Sequence, residues 1–382
     1  MSLYLDYNAS APIDQRVIED MMDAYTNCIG NADSRTHDYG DNARKRVENS
    51  RAKVAHLLGV NTDEVFFTSG ATESNNIVIQ GMEGYSLDSH KNTIITTAIE
   101  HKAVLETAKA MAKRGVKLEL VHPDDSGRIK VEDVEKLCDE NTLLVSVMHV
   151  NNETGVIQPV DRIGETLEKK NIYFHIDATQ SCGKLVEEVR NLSYNMLSFS
   201  GHKLRGPQGV GVLVLRKKNY KLPPVKPVFY GGQQEHGISP GTVPVALISG
   251  LGKACQIAEE EYIENTKKNI KLRTVLLEQL EASGLKYIIN GNIEHIIPCT
   301  LNIAIEGVSS EALMIASKNY CSISNGSACT SNSYAPSYVL SAMGIEKERI
   351  DNSIRISWGP DIEIERFKSS INMLLNIAKG MA

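Results

Sequence analysis

The chain has 382 residues, of which 42% are hydrophobic and 23% charged, with a formal net charge of −6. That length exceeds one comfortable core, so a large domain with a smaller one is expected. The negative balance argues against direct nucleic-acid binding, which needs clustered cationic excess, and no segment approaches an uncharged membrane span.

The first residues lack a basic run, and Asp6 interrupts their short apolar stretch, so no signal peptide is expected. From about Glu64 to Leu215, β-rich runs alternate with helical patterns. The runs are Val65–Thr68, Thr93–Thr97, Val116–Val121, Leu143–Val147, Tyr173–Ile176, Leu197–Ser200 and Val210–Leu215. Such alternation predicts an α/β fold with a mostly parallel, doubly wound sheet. The last two runs lie too close for a helical crossover, so the final strand is expected to be antiparallel. After Gly231-Gly232 the texture changes to a charged amphipathic helix from about Leu247 to Leu280, stopped at Ser283-Gly284. The domain change is placed within that helix, and the remainder reads as a small α+β unit with a strand at Cys299–Ile305. The seven cysteines, at 28, 138, 182, 255, 299, 321 and 329, form no CxxC pair, as expected of a reduced, cytoplasmic chain.

Three stretches carry chemistry. Thr68-Ser-Gly-Ala-Thr-Glu-Ser74 joins a strand to a helix through small residues, a ready site for a phosphate at a helix N-terminus, although taken alone an ordinary N-cap explains it better. His175-Ile-Asp177-Ala-Thr-Gln180 ends a strand with a carboxylate at the sheet edge where open α/β folds bind ligands. Ser198-Phe-Ser-Gly-His-Lys203 runs a buried strand into a glycine-rich turn that presents one lysine, a Schiff-base candidate whose amine burial would activate. Ser200 and His202 beside it supply further donors. An acid able to pair with a pyridine nitrogen, a lysine and a phosphate cradle in one domain suggest pyridoxal 5'-phosphate. Neither Gly250-Leu-Gly-Lys253 nor Gly206–Gly211 has the spacing of a nucleotide fingerprint, and no metal cluster is read.

In order and spacing, Tyr4–Tyr7, Ser69–Asn76, Glu100–Val104, Met148–Gly155, Asp177–Gln180, Ser200–Lys203, Gly326–Cys329 and Ser353–Arg355 resemble the cysteine desulfurases of the class V aminotransferase family. These are pyridoxal-phosphate enzymes of fold type I. The resemblance covers essentially the whole chain. It implies a seven-stranded sheet in a large cofactor-binding domain over residues 16–255, with residues 1–15 and 256–382 forming the small domain. It further implies that Lys203 holds the cofactor as a Schiff base, Asp177 faces the pyridinium and Gln180 the phenolate oxygen. Thr72, Ser200 and His202 would bind the phosphate, and His101 would stack on the ring and serve as acid or base. Arg355, alternating with apolar residues in Ile354-Arg-Ile-Ser357, suits a substrate carboxylate. Asn152 would share that task, with Asn8 a lesser candidate because a turn asparagine before Pro12 needs no ligand. Cys329, in the small polar run Ser324–Ser333, would take sulfur from L-cysteine as a persulfide, release L-alanine and pass the sulfur to an acceptor protein, as in the long-loop branch.

Two departures stand out. Gln234-Glu-His-Gly-Ile-Ser-Pro-Gly-Thr242 replaces the family's Arg-rich approach to Gly-Thr, and Gln208 stands where a basic residue is usual. Thr242 still matches the position that reaches a neighbouring subunit's cofactor phosphate, implying a homodimer. Rival readings are a selenocysteine lyase or aminotransferase that keeps Lys203 without needing Cys329, and a non-catalytic sulfur-relay scaffold. No motif chooses among acceptors for iron–sulfur assembly, tRNA thiolation or DNA phosphorothioation.

Overall fold

The computed structural model describes residues 2–325 and 336–382. The chain runs through β1 (Leu3–Tyr4), α1 (Gln15–Asn27), α2 (Asp38–Leu58), β2 (Val65–Thr68), α3 (Ala71–Gly81), α4 (Glu83–Ser89) and β3 (Thr93–Thr97). There follow α5 (Lys102–Ala112), β4 (Lys117–Val121), α6 (Val131–Leu137), β5 (Thr142–Met148), α7 (Val160–Lys169), β6 (Phe174–Asp177), α8 (Val186–Asn191), β7 (Met196–Ser200) and β8 (Gly211–Leu215). The 39-residue α9 (Val245–Ser283) leads to β9 (Tyr287–Ile289), β10 (Thr300–Ile305), α10 (Ser310–Ser317), β11 (Cys321–Ser322), α11 (Tyr338–Ala342), α12 (Lys347–Asp351), β12 (Ser353–Ser357) and α13 (Ile364–Lys379).

The main sheet has seven strands in the order β2-β8-β7-β6-β5-β3-β4. All neighbours are parallel except β8, which is antiparallel to both β2 and β7. This matches the expected hairpin return after Ser200. Apart from the edge strand β4, the strands are buried throughout because both faces are covered. Phe67, Leu197, Phe199, Val212 and Val214 enter one core with residues of α2 and α9, while Phe66, Met196, Leu213 and Leu215 enter another with residues of α3 and α5. A period of two thus sorts each strand between the cores.

A separate apolar cluster surrounds the antiparallel sheet β12-β10-β9, with Trp358 and Phe367 at its centre. Helix α9 serves both regions: Ile248, Leu251 and Ala254 pack on the main sheet, and Leu272, Leu276 and Leu280 on the small one. At about 1.5 Å per residue such a helix spans nearly 60 Å. It ends where the left-handed Gly284, at φ 71°, accommodates a turn that a β-carbon would disfavour.

Candidate active site

The carboxyl ends of β5, β6 and β7 open onto a cavity of about 310 Å³ closed on its other side by β12 and the segment after β1. Asn8, Thr72, His101, Asn152, Asp177, Gln180, Ser200, His202, Lys203 and Arg355 all line it. Residues predicted from distant stretches therefore meet in one place.

Lys203 lies on the 3-10 turn Gly201–Lys203 directly after β7. The strand is buried throughout, whereas Lys203 itself is only half-buried, which corrects the expectation of a buried amine. Its Nζ donates to the carbonyls of Asn8 (2.5 Å) and Ala9 (2.6 Å). Those oxygens hold the amine over the cavity by hydrogen bonding.

Asp177, the last residue of β6, is 4% exposed. Its Oδ2 accepts from Asn75 Nδ2 at 2.8 Å and its Oδ1 from the Thr179 backbone N–H at 3.0 Å. Both donors are neutral. Beneath it the fully buried His175 contacts Ser146 Oγ (2.8 Å) and Ser198 Oγ (2.9 Å). Burial pushes the His175 pKa down to about 4, with Asp177 opposing.

His101 caps α5, its Nδ1 accepting from the Ala103 N–H at 3.1 Å. A neutral ring bonded in this way carries its proton on Nε2. Burial lowers its pKa; Asp177 opposes, and Lys203 and Lys102 add to the fall.

At the polar end, Ser200 Oγ accepts from the Ala71 N–H at 2.8 Å and thereby ties β7 to the start of α3, where Thr72 lines the cavity. Gly70 and Gly211 permit this approach, since a β-carbon on Gly211 would fall 2.5 Å from Gly70 Cα. His202 Nδ1 lies 3.2 Å from Ser10 Oγ, and its pKa falls to about 4 through burial and Lys203.

On the opposite wall Arg355 is 3% exposed. It donates through Nη2 to Asp6 Oδ1 (2.6 Å) and through Nη1 to the Asn152 carbonyl (2.8 Å), while its buried Nε has no partner among the described residues. Asn152 Oδ1 is likewise buried and unpartnered. The Asn8 amide nitrogen is engaged with Thr300 Oγ1 (3.0 Å) and the Asn152 carbonyl (3.2 Å). What Asn8 offers the cavity is chiefly its carbonyl, which receives both Lys203 Nζ and Gln180 Nε2.

Thr242 is exposed and does not line this cavity; it borders a separate depression with Glu73, Glu235 and Ser239. Cys329 lies outside the described residues. The unusual 234–240 segment is fixed to the main sheet by Glu235, whose carboxylate accepts from the Phe67 N–H (2.8 Å) and from both Arg51 Nη atoms (2.7 Å each). Ser239 Oγ donates to Glu73 Oε1 at 2.7 Å, so the segment reaches the first turn of α3.

Sequence reasoning passed over Asn75, Thr179 and Asp6 as site residues. Asn75 and Asp6 stood inside stretches that carried the family resemblance, which was their available signal. Thr179, whose Oγ1 is buried and without a partner among the described residues, stood in such a stretch as well, between Asp177 and Gln180.

Residues 3–366 match the family model described as Aminotransferase class-V. The chain is 39% identical to a protein named Cysteine desulfurase IscS from Serratia proteamaculans over 99% of its own length and 95% of that protein. Among solved structures it resembles a "NIFS-LIKE PROTEIN" with a TM-score of 0.91 and 37% identity, covering all of both chains. It also resembles "SspA in complex with cysteine" at a TM-score of 0.82 and 32% identity, covering 94% of this chain and 99% of that one.

Proposed function

The chain belongs to the class V aminotransferase family and is a cysteine desulfurase, and from that premise we propose that the cavity binds pyridoxal 5'-phosphate and L-cysteine and delivers sulfur to Cys329. The observation that carries the reading is the meeting of Lys203, Asp177 and Arg355 at one cavity from three separate elements.

The residues present fit the cofactor. A half-buried amine, an acid whose hydrogen bonds all come from neutral groups, and hydroxyls gathered at a helix N-terminus are the groups that its aldehyde, pyridinium and phosphate call for. When bound, the cofactor supplies an electron sink for the bond next to the substrate carboxylate. Arg355 binds that carboxylate, exchanging its contacts with Asp6 and the Asn152 carbonyl for it, and Asn152 shares the task through the donor end of its side-chain amide, since a carboxylate only accepts. Lys203 Nζ would hold the cofactor and is placed to move the proton at the α-carbon. His101 keeps its Nε2–H toward the cavity and exchanges a proton there. The Cys329 thiolate attacks the substrate sulfur: an S–S bond forms, the C–S bond breaks, and the carbon skeleton leaves as L-alanine after protonation.

The same reading divides the chain into residues 16–255 and residues 1–15 with 256–382, which the split allegiance of α9 supports. An exposed Thr242 set apart from its own chain's cavity supports a homodimer in which it serves the other copy. Among the described residues no helix is long and apolar enough to cross a membrane. We place the enzyme in the cytoplasm, with a protein as the sulfur acceptor.

The test is Cys329→Ser. The variant is expected to take up the cofactor with an unchanged visible band and to form neither alanine nor persulfide from L-cysteine. Undiminished alanine formation would sink the persulfide route and favour a lyase that acts without Cys329.

A further inference from the structure

Lys184 has no part in the chemistry above. It stands four residues after Gln180 on the turn that follows β6, closed by bonds from the Cys182 N–H to the Ala178 carbonyl (2.8 Å) and from the Leu185 N–H to the Ser181 carbonyl (2.9 Å). One turn apart, the two side chains share a face, and Lys184 Nζ donates to Gln180 Oε1 at 3.1 Å. A lysine ammonium only donates, and an amide oxygen only accepts, so this contact fixes which end of the amide is oxygen. The nitrogen end donates to the Asn8 carbonyl at 3.0 Å, and a carbonyl only accepts. Both neighbours therefore demand the same orientation. An amide nitrogen carries two hydrogens; Asn8 takes one, and the other remains for the cavity that Gln180 lines.

On its other side Lys184 borders a second, narrower cavity of about 70 Å³ between α9 and the small sheet. Cys299, Tyr262, Tyr7, Asp14 and Arg205 border it too, and Lys203 lines both cavities. Burial lowers the Lys184 pKa, with Cys299 and then Cys182 opposing. Lys184 is half-buried, and its hydrogen bond to Gln180 replaces part of the hydration that its amine has lost.

We propose that Lys184 is a positioning residue: it locks and polarises the Gln180 amide so that one Gln180 N–H stays directed at the ring oxygen of the bound cofactor. The inference rests on the reading that this oxygen faces Gln180. A donor at that oxygen stabilises its anionic form, and does so most when the neighbouring imine has lost its proton. It therefore lowers the pH at which the lysine-bound cofactor changes its visible band. Loss of Lys184 weakens the donor and moves that midpoint upward.

The experiment is a pH titration of the visible band of cofactor-loaded protein without substrate, for the wild type, Lys184→Met, Lys184→Arg, Gln180→Ala and the Lys184→Met/Gln180→Ala pair. Lys184→Met is expected to raise the midpoint by about 0.5–1 unit, Lys184→Arg to restore most of it, and Gln180→Ala to raise it at least as far. In the Gln180→Ala background, Lys184→Met is expected to add nothing, because the lysine acts through the amide. A shift of equal size in that background, or none in Lys184→Met where Gln180→Ala shifts, overturns the positioning role. An unmoved Gln180→Ala midpoint instead overturns the premise that Gln180 meets the ring oxygen. Circular dichroism checks the fold of each variant, and Lys184→Gln, a neutral donor, replaces Lys184→Met if the latter does not fold.

Discussion

The two walls of the cavity handle buried charge in opposite ways. Asp177 and Arg355 are equally hidden, at 4% and 3% exposure. Asp177 takes its hydrogen bonds from the neutral Asn75 amide and Thr179 N–H, whereas Arg355 already has an acid, Asp6, at 2.6 Å. The main-sheet wall is thus built around an acid whose hydrogen bonds among the described residues all come from neutral groups, as suits a resident group that stays through many turnovers. The β12 wall holds its cation in an exchangeable pair, as suits a substrate that arrives and leaves. Preorganisation lies on the first side and partner exchange on the second.

The largest effect is expected on the first wall. Lys203→Ala is expected to abolish the covalent cofactor band and to cut alanine formation by about a thousandfold or more, measured by spectrum and amino-acid assay. Asp177→Asn keeps the shape and removes the charge. A fall in kcat of about a hundredfold, with the cofactor still bound, is expected. A near-normal kcat would show that the neutral hydrogen bonds around Asp177 do not await a cation.

Effects on the second wall should appear in KM. Arg355→Lys loses the planar fork and is expected to raise KM for L-cysteine about tenfold, with a smaller change in kcat. Asp6→Asn removes the competitor for the guanidinium while leaving the backbone contacts of residue 6 in place. Its expected outcome is a KM lowered about two- to threefold. If Asp6→Asn raised KM as Arg355→Lys does, Asp6 would be orienting the arginine rather than competing with substrate, and the contrast between the walls would fail.

The parts of this arrangement differ in how far the sequence reveals them. Strands β2 to β8 are short apolar runs between helical patterns, and Lys203, Asp177 and Arg355 stand out because polar groups at the ends of such runs, or alternating within them, have few packing roles. The partners of those groups are harder to see, because nothing local encodes them. Asn75 is 102 residues from Asp177, Asn8 is 195 from Lys203, and Asp6 is 349 from Arg355. Segment 234–240 shows in the sequence only as a departure from the family's Arg-rich pattern. Its ordering depends on Glu235 and His236 taking left-handed backbone, at φ 48° and 54°, with Glu235 held by Arg51 from α2. Tertiary hydrogen bonds, rather than propensity, decide that conformation.

A second acid under the first wall gives the smallest expected effect. Glu100 is fully buried; its Oε1 accepts from Thr97 Oγ1 and the Met148 N–H, each at 2.8 Å, and its Oε2 has no partner among the described residues. Burial pushes its pKa up to about 8, and the charge of Asp177 adds to the rise. Asp177 faces the cavity, whereas burial favours the protonated form of Glu100. The folded state binds the Glu100 proton more tightly than the unfolded chain, whose carboxyl titrates near 4.5. The stability linked to it is therefore complete below about pH 4.5 and falls as pH rises through about 8. Glu100→Gln keeps the accepting oxygen and cannot ionise. Between pH 6 and pH 9 the wild type is expected to lose about 3 °C more in Tm than this variant, read by thermal melts of the two proteins side by side. Parallel melting curves across that range would mean that Glu100 already ionises in the folded state, and the main-sheet wall would then carry two negative charges rather than one.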